Sequence, residues 1–247
     1  MFTVYHLKVY FQFRLGFVSV YKKIVFYKHK MKNNLLERKI LMKDLFAFFM
    51  LIALVSFLGF AVENLWMAAT KGYMDNRNMT LPFLLGYGLA VAAIFFLFGI
   101  PSKMRIGTYI LPFKSKAASI FFYYLAVALC ISVGEIALGT LVEKVCGIVW
   151  WDYTNLPFHI TKYTSLFTSI GFTAIIVLFM EFAALPLFRF VSSWNIVGLG
   201  FCSCTLMLLM LVDFGRSAYL MWRDKKLLVT WIHETKKNRI YRALHGI

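Results

Sequence analysis

Apolar residues along this chain gather into long uninterrupted runs instead of alternating with polar ones. The runs are about twenty residues long, the length a helix needs to cross ~30 Å of hydrocarbon. Five can be marked, at residues 45–68, 82–100, 117–141, 164–187 and 195–215. They are joined by residues 69–81, 101–116 and 142–163 and by a short turn near Arg189. Backbone polar groups in lipid must be satisfied within the segment, which selects helices, and the alternating pattern of a β-barrel is absent. The pattern predicts an all-α, polytopic helical membrane protein with about five transmembrane helices. Residues 1–44 form a basic N-terminal extension, 45–220 the spanning domain, and 221–247 a basic cytoplasmic or interfacial tail. In that tail Leu227, Leu228, Trp231 and Ile232 share one helical face, so an amphipathic helix on the membrane surface is expected. Met31 opens a second plausible start, so residues 1–30 are read either as upstream of the true start or as an interfacial basic segment. No internal repeat or low-complexity stretch stands out.

Composition agrees with that reading. Of 247 residues, 61% are apolar, more than a soluble domain of this length can hide. The net charge of +16 raises nucleic acid as a partner. Its placement argues against that: ten of the 27 Lys/Arg precede residue 45 and eight follow residue 215, outside the spans. Such flanks are anchors on anionic headgroups and topology signals, so the expected partner is the lipid bilayer. An N-terminus inside satisfies the positive-inside rule for the loops, although five crossings then leave the basic tail outside. Cys130, Cys146, Cys202 and Cys204 lack CxxC spacing and imply no disulfide or metal framework.

The acids carry the candidate chemistry. Only eleven Asp/Glu exist, and Glu63, Glu135, Glu181 and Asp213 lie within predicted spans. Odd-numbered spans end on one face, so Glu63, Glu135, Glu143 and Asp213 approach a single leaflet, with the loops holding Asn76, Arg77, Asp152 and His159. Glu181 falls towards the opposite face. Intramembrane acids mark ion, proton or substrate pathways, or else hydrogen-bond between helices. Ala126, Cys130 and Gly134 recur every four residues as a small-residue stripe beside Glu135. Glu135 and Glu143 differ by about 80° around a helix and share a broad face. Trp150, Trp151 and Tyr153 suit an interfacial aromatic belt. Asp152-Tyr153-Thr154-Asn155, ahead of Pro157, has the chemistry of a turn, with a local Asx turn at Asp152 expected. Asn78-Met79-Thr80 matches a glycosylation sequon but lies in a short loop beside the membrane. GxxxxGK[ST], GxSxG and HExxH are all missing, so no nucleotide, serine-hydrolase or zinc machinery is indicated, and no cofactor is expected.

Taken in order, these motifs resemble a bacterial family of small membrane proteins, the CmpB-like or type IV group of ABC-transporter permeases. The resembling residues are Glu63, Asn76-Arg77, Pro82, Tyr87-Gly88, Glu135, Glu143-Lys144, Trp150 to Tyr153, and Asp213-Phe214. They cover about residues 45–220. Asn78 stands where the family has glycine, and His159 and Lys162 replace an Asn and a Gly after Asp-Tyr. The resemblance implies a transport role with a separate ATPase subunit.

The expected function is therefore a permease-like transport subunit of the cell membrane. Its candidate substrate- or ion-binding residues are Glu63, Asn76, Arg77, Glu135, Glu143, Trp151, Asp152, Tyr153 and Asp213. Glu135 would be the central proton or cation site, with Arg77 and Asp152 gating it from the loops. Two alternatives stand beside it: a structural or assembly membrane protein, and a membrane-embedded enzyme acting on a lipid-linked substrate. No nucleophile or metal set is visible, so a non-enzymatic role is expected. Association with further copies of the chain is left open.

Overall fold

A computed structural model describes residues 35–70, 73–75, 78–226 and 232–234. The basic N-terminal extension up to residue 34, Asn76, Arg77 and the tail residues 227–231 and 235–247 lie outside the described residues. Helix α1 is Leu35–Thr70, α2 Leu85–Phe98 and α3 Lys116–Cys146. Helix α4, Leu166–Leu178, runs through a π-helical turn, Phe179–Ala183, into α5, Ala184–Ser192. Helix α6 is Ile196–Asp224. Short strands occupy the connections: β1 Tyr73–Asp75, β2 Gly99–Ile100, β3 Lys103–Ile106, β4 Tyr109–Ile110, β5 His159–Thr161, β6 Thr164–Ser165 and β7 Ile232–Glu234.

Four helical stretches are long and apolar enough to cross a membrane: Lys39–Ala69, Lys116–Cys146, Leu166–Ser192 and Ile196–Asp224. The protein is a multi-pass helical membrane protein. The fifth apolar run forms a helix of only 14 residues, about 21 Å at 1.5 Å per residue and shorter than the hydrocarbon core. The run is cut at its start by the loop before Leu85 and at its end by Gly99, whose φ of 72° takes it out of the helix. Side chains such as Phe121, Leu129, Val133 and Leu141 of α3 are apolar and exposed, as lipid-facing positions are.

Local chemistry sets the ends. Ser115 accepts a hydrogen bond from the Ala118 amide and caps α3, and Gly147 in the left-handed region closes it. Ser165 caps α4 through the Thr168 amide. The π-turn lies just ahead of Pro186, which lacks the N–H that would bond the Phe182 carbonyl. Arg189, expected in a turn, lies inside α5, and the turn falls at Ser193–Asn195. Ile232, expected on an amphipathic helical face, lies instead in β7, which pairs antiparallel with β1 and so satisfies backbone groups of both segments.

The described residues form two compact units, one of residues 35–51 and 186–207, the other of 52–185 and 208–234 where described. In the first, Ala47, Met50, Val191 and Leu199 are buried, and a Cβ on Gly200 would lie 2.8 Å from the Phe46 ring, so α1 and α6 approach closely there. In the second, Ile94, Met104, Tyr123, Val127 and Val177 form an apolar core. The three-stranded sheet β2-β3-β4 and the β5-β6 hairpin cover opposite ends of α3.

Candidate functional site

All described candidate residues belong to the second unit. Its helices are drawn together at glycines. A Cβ on Gly88 would meet the Ile52 carbonyl and the Ser56 hydroxyl at 2.4 Å, so α2 lies directly on α1. A Cβ on Gly59 would lie 2.6 Å from the Tyr87 ring. That ring crosses Gly59, and its hydroxyl donates to Glu63 Oε2 at 2.8 Å, one turn further along α1. Glu63 is buried.

The same arrangement recurs on α3. A Cβ on Gly139 would lie 2.3 Å from the Tyr163 ring, and the Tyr163 hydroxyl donates to Glu143 Oε2 at 2.5 Å. Residues 58–63 read LGFAVE and 138–143 read LGTLVE, so Leu-Gly-x-x-Val-Glu occurs twice. This short repeat escaped the reading by hydropathy, because five of its six positions are as apolar as their surroundings. Its chemistry emerges only when a tyrosine from further along the chain, in α2 for one copy and in the β5-β6 hairpin for the other, is laid on the glycine. At Gly134, the last position of the stripe, nothing lies within 4 Å of an added Cβ, whereas at Gly139 the Tyr163 ring comes down on the helix.

The β5-β6 hairpin is thus fastened to α3 at two levels by adjacent residues. Lys162 Nζ and the Tyr163 hydroxyl hold Glu143, each at 2.5 Å. Thr164 donates from Oγ1 to Glu135 Oε2 at 2.6 Å. Lys162, which departs from the family pattern, is the cation of the Glu143 pair. Trp151 braces the hairpin, its indole N–H donating to the Tyr163 carbonyl at 2.8 Å and its ring meeting the Tyr163 ring edge-on. The Tyr153 amide donates to the Lys162 carbonyl at 2.8 Å. Asp152 acts locally: it accepts from the Thr154 amide at 2.8 Å and from the Thr154 hydroxyl, the expected Asx turn. Those bonds to the charged form hold the Asp152 carboxyl below its ordinary range. The bond to Glu143 holds Lys162 above the ordinary lysine range.

Asp213 serves a different connection. It accepts from the Thr80 amide at 2.9 Å and from the Leu81 amide at 2.8 Å. Arg216 donates to the Thr80 hydroxyl, and the Asn78 amide donates to the Ser217 hydroxyl at 2.9 Å. One face of α6 therefore pins the loop that leads into α2. Asn78 has φ 71°, a left-handed conformation that glycine and asparagine share, which explains how asparagine replaces the family's glycine there. It is also buried, so the sequon is closed to a glycan.

Around Glu135 the surroundings are hydroxyls. Thr164 lies 3.1 Å from Ser169 Oγ, and Ser169 lies 2.9 Å from Ser132 Oγ. Among the described residues no lysine, arginine or histidine pairs with Glu135, and no three His, Cys, Asp or Glu converge on a metal. At the other end of α3 and α4, Glu181 of the π-turn pairs with Lys116 at 2.8 Å and accepts from the Ser102 amide at 2.9 Å. The structure thus engages each acid separately: Glu63 with Tyr87, Glu135 with Thr164, Glu143 with Lys162 and Tyr163, Asp152 with Thr154, and Asp213 with the Thr80 and Leu81 amides.

Residues 45–218 match the family described as "Putative ABC-transporter type IV". No curated protein and no solved structure matches the chain.

Proposed function

Since the chain belongs to the type IV ABC-transporter family, a family of transport-related membrane proteins, we propose that it is a permease-like subunit of the cell membrane with Glu135 at its ion site. The observation that carries this is the setting of Glu135: a carboxylate within a membrane helix, hydrogen-bonded to the Thr164 hydroxyl, with the Ser169 and Ser132 hydroxyls behind it. A carboxylate is costly to keep charged in a low-dielectric medium, and a proton or a small cation relieves that cost. Intramembrane acids are candidates for ion, proton or substrate pathways. Glu143, Asp152 and Asp213 are in this reading the fasteners of the loops around the site, with Trp151 and Tyr153 as braces. The absence of a P-loop in the sequence assigns nucleotide hydrolysis to a separate ATPase subunit.

Reconstitution into liposomes tests the site. With an imposed ion gradient, wild-type protein should carry protons or an alkali cation, read by an entrapped pH- or sodium-sensitive dye. Glu135→Gln keeps the hydrogen-bond acceptor and removes the charge, so it should abolish the flux while leaving the thermal midpoint in detergent nearly unchanged. A variant that conducts like wild type removes Glu135 from the mechanism. Loss of folding in Glu135→Gln would favour the assembly role, in which the acid is only a link between helices.

A further inference from the structure

We propose that the hydroxyls beside Glu135 form a proton wire, running from Glu135 through Thr164, Ser169 and Ser132 towards Thr173. The inference rests on the ion-site reading of Glu135 and names its ion as the proton.

The geometry supplies a continuous chain of oxygens: 2.6 Å from Thr164 to Glu135, 3.1 Å from Thr164 to Ser169, and 2.9 Å from Ser169 to Ser132. Each hydroxyl has one hydrogen to give and can also accept. An ionised carboxylate only accepts, so with Glu135 ionised the Thr164 hydrogen is committed to it. Thr164 then accepts from Ser169. Ser169 has spent its hydrogen and accepts from Ser132. With Glu135 protonated the carboxyl donates, and the chain runs the other way: Thr164 to Ser169, Ser169 to Ser132. The Ser132 hydrogen then needs a different acceptor, and the Ala128 carbonyl lies 3.0 Å away. Partners for both directions are therefore already in place, which a chain serving only to link two helices does not require.

A second observation points along the same line. Thr173 lies one turn beyond Ser169 on the same side of α4, is fully buried, and its hydroxyl has no hydrogen-bond partner. Helices α3 and α4 are antiparallel, and the Ser132–Ser169 contact places Ala128 at about the depth of Thr173. The free hydroxyl and the Ala128 carbonyl thus mark the far end of the wire, where a water molecule would find polar partners.

The transfer is balanced. A hydronium ion at the Thr173 end gives one proton to Ser132 and becomes water. Each hydroxyl accepts one hydrogen and passes its own onward, so all three end as hydroxyls. The Glu135 carboxylate becomes a carboxyl.

The test is proton flux into liposomes holding a pH-sensitive dye, with a potassium diffusion potential as the driving force. Thr173→Val and Ser169→Ala should reduce flux to the level of protein-free liposomes, whereas Ser169→Thr, which keeps the hydroxyl, should retain it. Thr173→Val replaces an unpartnered buried hydroxyl with a methyl of the same shape, so its thermal midpoint should hold or rise. That separates lost function from lost fold. Wild-type flux in Thr173→Val and Ser169→Ala, with flux absent in Glu135→Gln, overturns the wire and leaves the ion site standing. Flux unchanged in Glu135→Gln overturns the ion site itself. A Glu135-dependent flux of sodium or potassium without protons overturns the wire alone. No flux of any of these ions through wild-type protein overturns both.

Discussion

The Tyr87 hydroxyl donates to Glu63 at 2.8 Å from a ring that lies across Gly59, one helical turn before that glutamate. Tyr163, Gly139 and Glu143 repeat the arrangement on α3. In both, glycine clears the space, tyrosine crosses it, and the glutamate is reached from the segment that follows. The Tyr87 ring ties the first turn of α2 to α1, and the Tyr163 ring ties the β5-β6 hairpin to α3.

Alanine at either glycine puts a methyl inside van der Waals contact with the ring. Gly59→Ala and Gly139→Ala should each destabilise the protein by about 1–3 kcal/mol, the usual effect of overpacking. Gly134→Ala meets nothing within 4 Å and should be neutral or stabilising, since alanine favours a helix by up to about 1 kcal/mol over glycine. Thermal unfolding in detergent of the three variants checks the contrast. Equal effects at Gly134 and Gly139 would refute the packing argument.

Asp213 accepts from two backbone amides of the loop before α2. Asp213→Ala leaves those N–H groups without their charged acceptor, and hydrogen bonds to charged groups contribute about 1.5–3 kcal/mol each at most. The loop should loosen ahead of global unfolding. Alkylation of a cysteine placed at the buried Met79 should speed up in the Asp213→Ala background, and an unchanged rate would deny Asp213 its fastening role.

The Asp152 turn and the Lys162–Glu143 pair should each be insensitive to pH across the neutral range. Asp152 titrates below its ordinary value, so its contribution is present above that value, near pH 4, and is lost as pH falls through the folded value. Lys162 titrates above its ordinary value, so its contribution is present below about pH 10.4 and is lost as pH rises through the folded value. Fluorescence of Trp151 against the Tyr163 ring should be flat between those limits and change outside them. A transition near pH 7 would contradict this.

Asn78 should carry no glycan when the protein is expressed in a glycosylating host, because its side chain is buried against Ser217. Asn78→Gly keeps the left-handed backbone and loses the side-chain hydrogen bonds to Ser217, whereas Asn78→Ala also strains φ 71°. The alanine variant should be the less stable of the two by thermal unfolding.

Much of the architecture was legible beforehand. Runs of apolar residues located the four long spans, since hydrocarbon thickness constrains helix length directly. The run at 82–100 gave a shorter helix than expected, because hydropathy does not register a glycine leaving the helix at Gly99. The acids were found one by one, but their partners were not. Thr164, Ser169, Ser132 and Thr173 are unremarkable in a list of residues, and Tyr87 and Tyr163 look like two more interfacial aromatics. Hydrogen bonding across twenty or more positions has no periodicity to detect.

For this protein, composition and hydropathy alone determine the solvent and the class: a chain this apolar must lie in lipid, and in lipid its backbone must be helical. They also determine which acids are costly to bury, since that depends on residue type and depth. Tertiary structure decides what each acid does. Asp213 and Glu143 are consumed by loop contacts, and Glu135 is left among hydroxyls, because hydrogen bonds are short and directional and depend on which side chains the folded connections bring within about 3 Å.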